Sequence, residues 1–149
     1  MTGLLDPTQI PLSLYIHMPW CVRKCPYCDF NSHAVPNGAL SLELEQQYLN
    51  ALVADFQTQL DFAQGRKIHS VFIGGGTPSL ISAQGYQWLF TQLRSLLEFE
   101  QGCEITLEAN PGTVEHDPFA DYLKSGINRL SIGVQSFNQE HLQRLGRIH

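Results

Sequence analysis

The chain has 149 residues, 43% hydrophobic and 15% charged, which suits one soluble globular domain with a sizeable core and excludes a disordered polymer. A formal charge of -5, with neither Lys nor Arg gathered into runs, gives no general attraction for nucleic acid or an anionic membrane. The N-terminus lacks a basic start and is broken by Pro7 and Pro11, and no stretch approaches the roughly 20 apolar residues of a spanning helix, so no signal peptide or transmembrane segment is predicted and a cytoplasmic protein is expected.

After an N-terminal extension of residues 1–11, residues 12–18, LSLYIHM, alternate and predict a strand that runs directly into a cysteine loop. Residues 41–64 place Leu44, Tyr48, Leu52, Phe56 and Leu60 on one helical face, with Leu49, Val53 and Ala63 beside them and Gly65 as the stop. A second strand, IHSVFI over 68–73, enters the glycine loop GGGTPS. A second helix over about 83–98 carries Trp88, Leu89, Leu93, Leu96 and Leu97, and a third strand, EITLEAN, covers 104–110. Asp117 before Pro118 is read as the N-cap and first-turn pair of a short helix ending near Gly126. The fourth strand, NRLSIGVQ, covers 128–135, and Asn138 opens one more helix.

Strand and helix thus alternate four times, which predicts parallel strands joined by right-handed crossovers. An open doubly wound sheet and a β/α barrel both have this order. The strand faces favour the barrel. Ser13, Tyr15 and His17 oppose Leu12, Leu14, Ile16 and Met18; Glu104, Thr106 and Glu108 oppose Ile105 and Leu107; Arg129, Ser131, Gly133 and Gln135 oppose Leu130, Ile132 and Val134. A sheet covered by helices on both sides is apolar on both, whereas one aliphatic and one polar face suit a wide barrel with helices outside. Four strands cannot close such a barrel, so the α/β chain is read as the N-terminal four β/α units of an incomplete one, with more strands expected beyond His149.

The loop CVRKCPYC holds three of the four cysteines. CPYC alone could be a redox dithiol, but Cys21 would then be a neighbouring thiol able to scramble it. Structural zinc needs a fourth ligand, from His17, Asp29, His33 or the distant Cys103. Three thiolates also suit an iron-sulfur cubane with one iron free of protein ligands, a departure from four-cysteine ligation that leaves a coordination site open.

LYIHMPWCVRKCPYCDFNSH resembles the signature of the radical S-adenosylmethionine (SAM) superfamily, in the branch that holds oxygen-independent coproporphyrinogen III oxidases and haem chaperones. FIGGGTPSL, LEANPGTV and GINRLSIGVQSFNQEHLQRLGRIH continue the likeness in the same order, over nearly all of the chain from Leu12. The resemblance implies a radical SAM core domain over residues 12–149, truncated, with the rest of the barrel and a C-terminal domain absent. It also implies a 4Fe-4S cluster on Cys21, Cys25 and Cys28, with S-adenosyl-L-methionine on the open iron and cleaved to a 5'-deoxyadenosyl radical by one electron.

The cofactor-binding positions it implies are Tyr15 on the polar strand face, Tyr27 before the third cysteine, Gly75, Gly76 and Thr77 in the glycine loop, Glu108 and Gln135 at strand ends, and Arg147 in LGRIH. The residues also permit plainer roles. The glycines could form an ordinary strand-to-helix turn, Glu108 a rim salt bridge, Arg147 a solvated helix charge, and either tyrosine simple packing. His17 could touch a cofactor or serve as a hydrogen-bonded polar-face histidine. Cys103 is read as a small buried residue. His33, His69, His116 and His141 have no mutual metal spacing.

Oxidases of this branch carry a further cysteine two residues after the third, where this chain has Phe30. That difference shifts the expected role from SAM-dependent oxidative decarboxylation of coproporphyrinogen III to a haem chaperone that binds and transfers haem. The oxidase is the alternative, and a structural zinc or electron-transfer module a remoter one. The implied partners are haem or porphyrin, an electron donor of the flavodoxin or ferredoxin kind, and haem-accepting proteins, with no nucleic acid.

Overall fold

The structure, a computed structural model, describes residues 6–35, 38–111 and 116–147. Residues 1–5 of the N-terminal extension, Gly112 to Val114 of LEANPGTV, and Ile148 and His149 lie outside the described residues.

Alternation makes β1 (Leu12–Met18) a strand with Ile16 and Met18 buried and Ser13 and Tyr15 exposed. Two short strands, β2 (Trp20–Cys21) and β3 (His33–Ala34), bracket the cysteine loop and pair in parallel, Trp20 with His33 and Cys21 with Ala34. Helix α1 (Leu42–Thr58) starts where the Ser41 hydroxyl accepts the Leu44 N–H. It gives way at Gln59 to a separate turn, Leu60–Ala63, so the single helix expected over 41–64 is two pieces. Gln64 and Gly65 then take positive φ of 51° and 78°, a left-handed exit that glycine makes easily.

Strand β4 (Ile68–Gly75) runs two residues further than expected, into the glycine loop. Helix α2 (Ala83–Leu96) is capped by Ser82 on the Gly85 N–H and buries Tyr86, Leu89, Phe90 and Leu93, one helical stripe. Strand β5 (Phe99–Ala109) begins five residues before the expected start, and helix α3 (Phe119–Ser125) follows. Asp117 does not cap α3. Pro118 holds the cap position without a side-chain bond, and the Asp117 carboxylate instead accepts the Ala83 N–H at 2.7 Å, tying this segment to α2. Strand β6 (Arg129–Ile132) stops short of the expected 135: the chain turns directly after it, with the Val134 N–H on the Ile132 carbonyl at 3.0 Å, and Gln135 sits at φ 63°. Asn138 caps α4 (Gln139–Arg144) by accepting the Glu140 and His141 N–H groups.

The main sheet has the order β1-β4-β5-β6, parallel throughout. Every crossover steps the same way, so the helices gather on one face; a doubly wound sheet reverses direction and covers both. On the helical face, Ile16, Met18, Val71, Ile73, Ile105 and Leu107 pack against Leu49, Tyr86, Leu89 and Leu93 in one core. Full burial of each such side chain contributes about 1.5–3 kcal/mol. The opposite face pairs Ser13 with Ser70, Tyr15 with Phe72 and Thr106 with Arg129, and carries Glu108 beside Ser131. An α/β sheet with its helices on one side and its polar groups on the other is the opening part of a barrel wall. No helix among the described residues is long and apolar enough to cross a membrane.

A buried carboxylate joins α1 to the start of α2. Glu45, 6% exposed, accepts the Ser82 N–H at 2.9 Å and the Ser82 hydroxyl at 2.6 Å. These bonds satisfy a charged group that would otherwise be costly inside the core.

Candidate functional site

A cleft opens at the C-terminal ends of β4, β5 and β6, the end where ligands bind in parallel β/α folds. Its wall includes Cys21, Cys25, Cys28, Tyr27, Gly75, Gly76, Thr77, Glu108, Gln135 and Arg147. Tyr15 is the one cofactor position from the sequence that does not line it. The tyrosine ring is 57% exposed, lies stacked on Phe72 two register pairs below the glycine loop, and bonds through its hydroxyl to His17 Nδ1 at 3.0 Å. Partial burial and the nearby Glu108 charge raise the Tyr15 pKa.

The glycine loop is fixed by its neighbours. Gly76 N–H donates to the Met18 carbonyl and Thr77 N–H to the Trp20 carbonyl, each at 2.6 Å, so the exit of β4 is fastened to the entry of the cysteine loop. A Cβ at Gly76 would run into the Trp20 carbonyl, and Gly75 sits at φ 111°, so both positions require glycine. The Glu108 carboxylate reaches across the sheet and accepts the Gly75 N–H at 3.3 Å, over the space left by the missing side chain of Gly74.

In the cysteine loop all three cysteines are free thiols, as is Cys103, a core residue of β5 with its thiol pKa raised chiefly by burial. Among the described residues, no group of three His, Cys, Asp or Glu side chains converges on one metal ion. Cys21, Cys25 and Cys28 all line the same cleft wall.

Arg147 brings the chain's last described segment into the cleft. Its Nη2 donates to Asn110 Oδ1 at 3.1 Å and to the Gly133 carbonyl at 2.6 Å, and Nη1 lies 3.8 Å from Cys25 Sγ. Its Nε is buried and has no partner among the described residues, which leaves a directed cationic N–H for an anionic ligand. Burial raises the Tyr27 phenol pKa, with the Arg147 charge opposing and Cys25 adding to the rise.

Sequence reasoning passed over Asn110, Ser131 and Arg23, which also line the cleft. Ser131 could have been found, since it pairs with Glu108 on the same polar face. Phe30, noted only as a difference from a sister branch, is 58% exposed on the same wall.

The profile of the radical SAM superfamily matches residues 15–149. The heme chaperone HemW of Haemophilus influenzae is 55% identical over 143 residues, 96% of this chain and 37% of that protein. HemW of Escherichia coli is 55% identical over 139 residues, 93% of this chain and 36% of its own length. The mitochondrial radical S-adenosyl methionine domain-containing protein 1 of Bos taurus is 39% identical over 92% of this chain and 30% of its own. Among solved structures, the coproporphyrinogen III oxidase HemN of E. coli superposes with a TM-score of 0.80 at 32% identity, covering 95% of this chain and 32% of that one. The chain spans little more than a third of the length of these HemW relatives.

Proposed function

The chain belongs to the radical SAM superfamily, and on that premise we propose that it is the cofactor-binding part of a haem chaperone, a protein that binds haem and hands it on. The observation that carries the reading is the wall shared by three free thiols, Glu108 and the unpartnered Nε of Arg147. That donor set fits the superfamily's two groups. Cys21, Cys25 and Cys28 would hold a 4Fe-4S cluster, and Arg147 is the cation for the carboxylate of SAM. Glu108, Gly75, Gly76, Thr77 and Gln135 offer acceptors and backbone for the rest of SAM, and Tyr27 an apolar ring. When bound, the pair supplies one-electron cleavage of the sulfonium. Tyr15, expected as a SAM contact, lies outside the cleft wall and is linked through His17 to the Asn31 carbonyl of the cysteine loop.

Within the family, HemW relatives at 55% identity and Phe30 on the cleft wall favour carriage over oxidation. The likeness to HemN keeps a second reading, coproporphyrinogen III oxidation, in play. Residues 12–149 are then the first part of a core domain whose remaining strands and haem-contacting segment belong to the complete protein, working in the cytoplasm with a flavodoxin- or ferredoxin-like donor and a haem acceptor.

The deciding experiment gives the anaerobically reconstituted complete protein coproporphyrinogen III, SAM and reductant, and separately haem. Saturable haem binding without protoporphyrinogen formation is the expected result; catalytic protoporphyrinogen production would sink the chaperone reading.

A further inference from the structure

The cysteine loop has little backbone bonding of its own. Between Val22 and Asn31 the described backbone bonds comprise two, from Cys28 N–H to the Cys25 carbonyl at 3.1 Å and from Ser32 N–H to the Phe30 carbonyl at 2.7 Å. The limb that returns from Cys28 to β3 carries three successive carbonyls, at Phe30, Asn31 and Ser32, in a segment that joins no sheet. Of the three residues only Ser32 is buried, and apart from the Ser32 N–H at the Phe30 carbonyl no backbone donor among the described residues serves these groups, so side chains complete the set.

Two side chains supply them. Lys24, between the first and second cysteines, reaches across the loop and donates from Nζ to the Phe30 carbonyl at 3.1 Å and to the Ser32 carbonyl at 3.3 Å. His17, at the end of β1, meets the Asn31 carbonyl at 2.8 Å through Nε2. With Nε2 donating, His17 Nδ1 is the acceptor for the Tyr15 hydroxyl at 3.0 Å. The limb is therefore held from the sheet side by a histidine and from the outgoing limb by a lysine.

We propose that Lys24 is a positioning residue: by bridging the Phe30 and Ser32 carbonyls it ties the outgoing limb of the cysteine loop to the returning one and fixes where Cys25 and Cys28 present their thiols. The inference rests on the reading of these cysteines as cluster ligands, and it accounts for an ammonium at this place in CVRKC. A compact ammonium with three rotatable donors can serve two carbonyls at once while its stem spans the loop. The same bridge fixes the backbone of Phe30 and so keeps its ring on the cleft wall.

The test uses the complete protein, first free of metal and then reconstituted. Hydrogen exchange in the metal-free protein reads the limb directly, at the Cys28 N–H and at the Ser32 N–H, which donates to the Phe30 carbonyl at 2.7 Å. Lys24→Met is expected to speed exchange at these two amides roughly tenfold, a size ordinary for one lost charge-assisted bond, with β4 and β5 unchanged. Lys24→Arg should restore protection, and the reconstituted Lys24→Met protein should hold less iron and show a broadened reduced-cluster spectrum. Unchanged exchange in Lys24→Met, or failure of Lys24→Arg to restore it, overturns the proposal. If Lys24→Met loosens β4 as well, Lys24→Gln decides: its single amide donor should give a smaller local acceleration, and no local change overturns the proposal. A metal-free protein with the expected exchange pattern that takes up no cluster would keep the bridge and end the cluster reading.

Discussion

Arg147 and Asn110, 37 residues apart, meet at 3.1 Å, and this bond with the 2.6 Å bond to the Gly133 carbonyl holds the guanidinium with Nε unpartnered among the described residues. A charge-assisted bond to a carboxylate contributes about 1.5–3 kcal/mol, and about 1.4 kcal/mol is tenfold in affinity. Arg147→Ala in the reconstituted complete protein should therefore weaken SAM binding roughly 10- to 100-fold with iron content unchanged. Arg147→Lys should recover part of it, since a point charge cannot serve several fixed acceptors. Calorimetric titration with SAM checks this, and equal affinities would remove Arg147 from the site.

Alanine at Cys21, Cys25 or Cys28 is expected to abolish the 4Fe-4S cluster, each singly, because no fourth thiol among the described residues lines the cleft. Cys103→Ala should keep it and cost under about 2 kcal/mol, as a small buried side chain does. Iron and acid-labile sulfide counts after reconstitution separate the two groups. Full iron in any of the first three variants would break the ligand assignment.

Glu45 and Ser82 carry a stability prediction that does not involve the cofactors. Glu45→Ala strips two bonds of 2.9 and 2.6 Å and leaves the Ser82 N–H unpaired in the core, a loss of roughly 2–3 kcal/mol. Glu45→Gln, which can still accept, should lose less. Urea unfolding midpoints at constant slope provide the measure, and an unshifted midpoint in Glu45→Ala would contradict it.

Asp117 predicts a component of acid sensitivity. Burial pushes its pKa up, but the Ala83 N–H at 2.7 Å and the His116 ring at 3.1 Å outweigh it, so the carboxyl titrates below its usual 3.8. A carboxyl whose folded pKa is depressed contributes stability above its unfolded pKa and loses it as pH falls through the folded value. Wild type should then be more stable than Asp117→Asn above about pH 4, and the gap should close below pH 3.8. A gap that is constant from pH 7 to pH 3 would mean the charge is irrelevant.

The strands were legible where alternation was clean, as in β1, and α2 where its apolar stripe was regular. Strand β5 hid its first residues because Glu100, Gln101 and Gly102 carry no apolar alternation, and Gly102 at φ 79° interrupts the run. Strand β6 was overread because Gly133 and Gln135 continue its alternation in letters while the backbone turns away at Gly133. Asp117 looks like a cap for the helix after it, and only the tertiary packing gives its carboxylate to Ala83. The three cysteines could be read from spacing, and that they share a wall with Arg147 could not. The Arg147 side chain lies beside Cys25 across 122 residues, a closeness that arises only when β5 and β6 lie next to β4.

The pairing of Trp20 with His33 and of Cys21 with Ala34 sets the two ends of the cysteine loop side by side. Whatever lies between them enters and leaves the fold at one doorway, so residues 22–32 form a cassette whose length and chemistry can change without shifting the register of any barrel strand. A loop transplanted from a relative at those two pairs would keep the sheet intact, and differences between such hybrids could be attributed to the cassette itself.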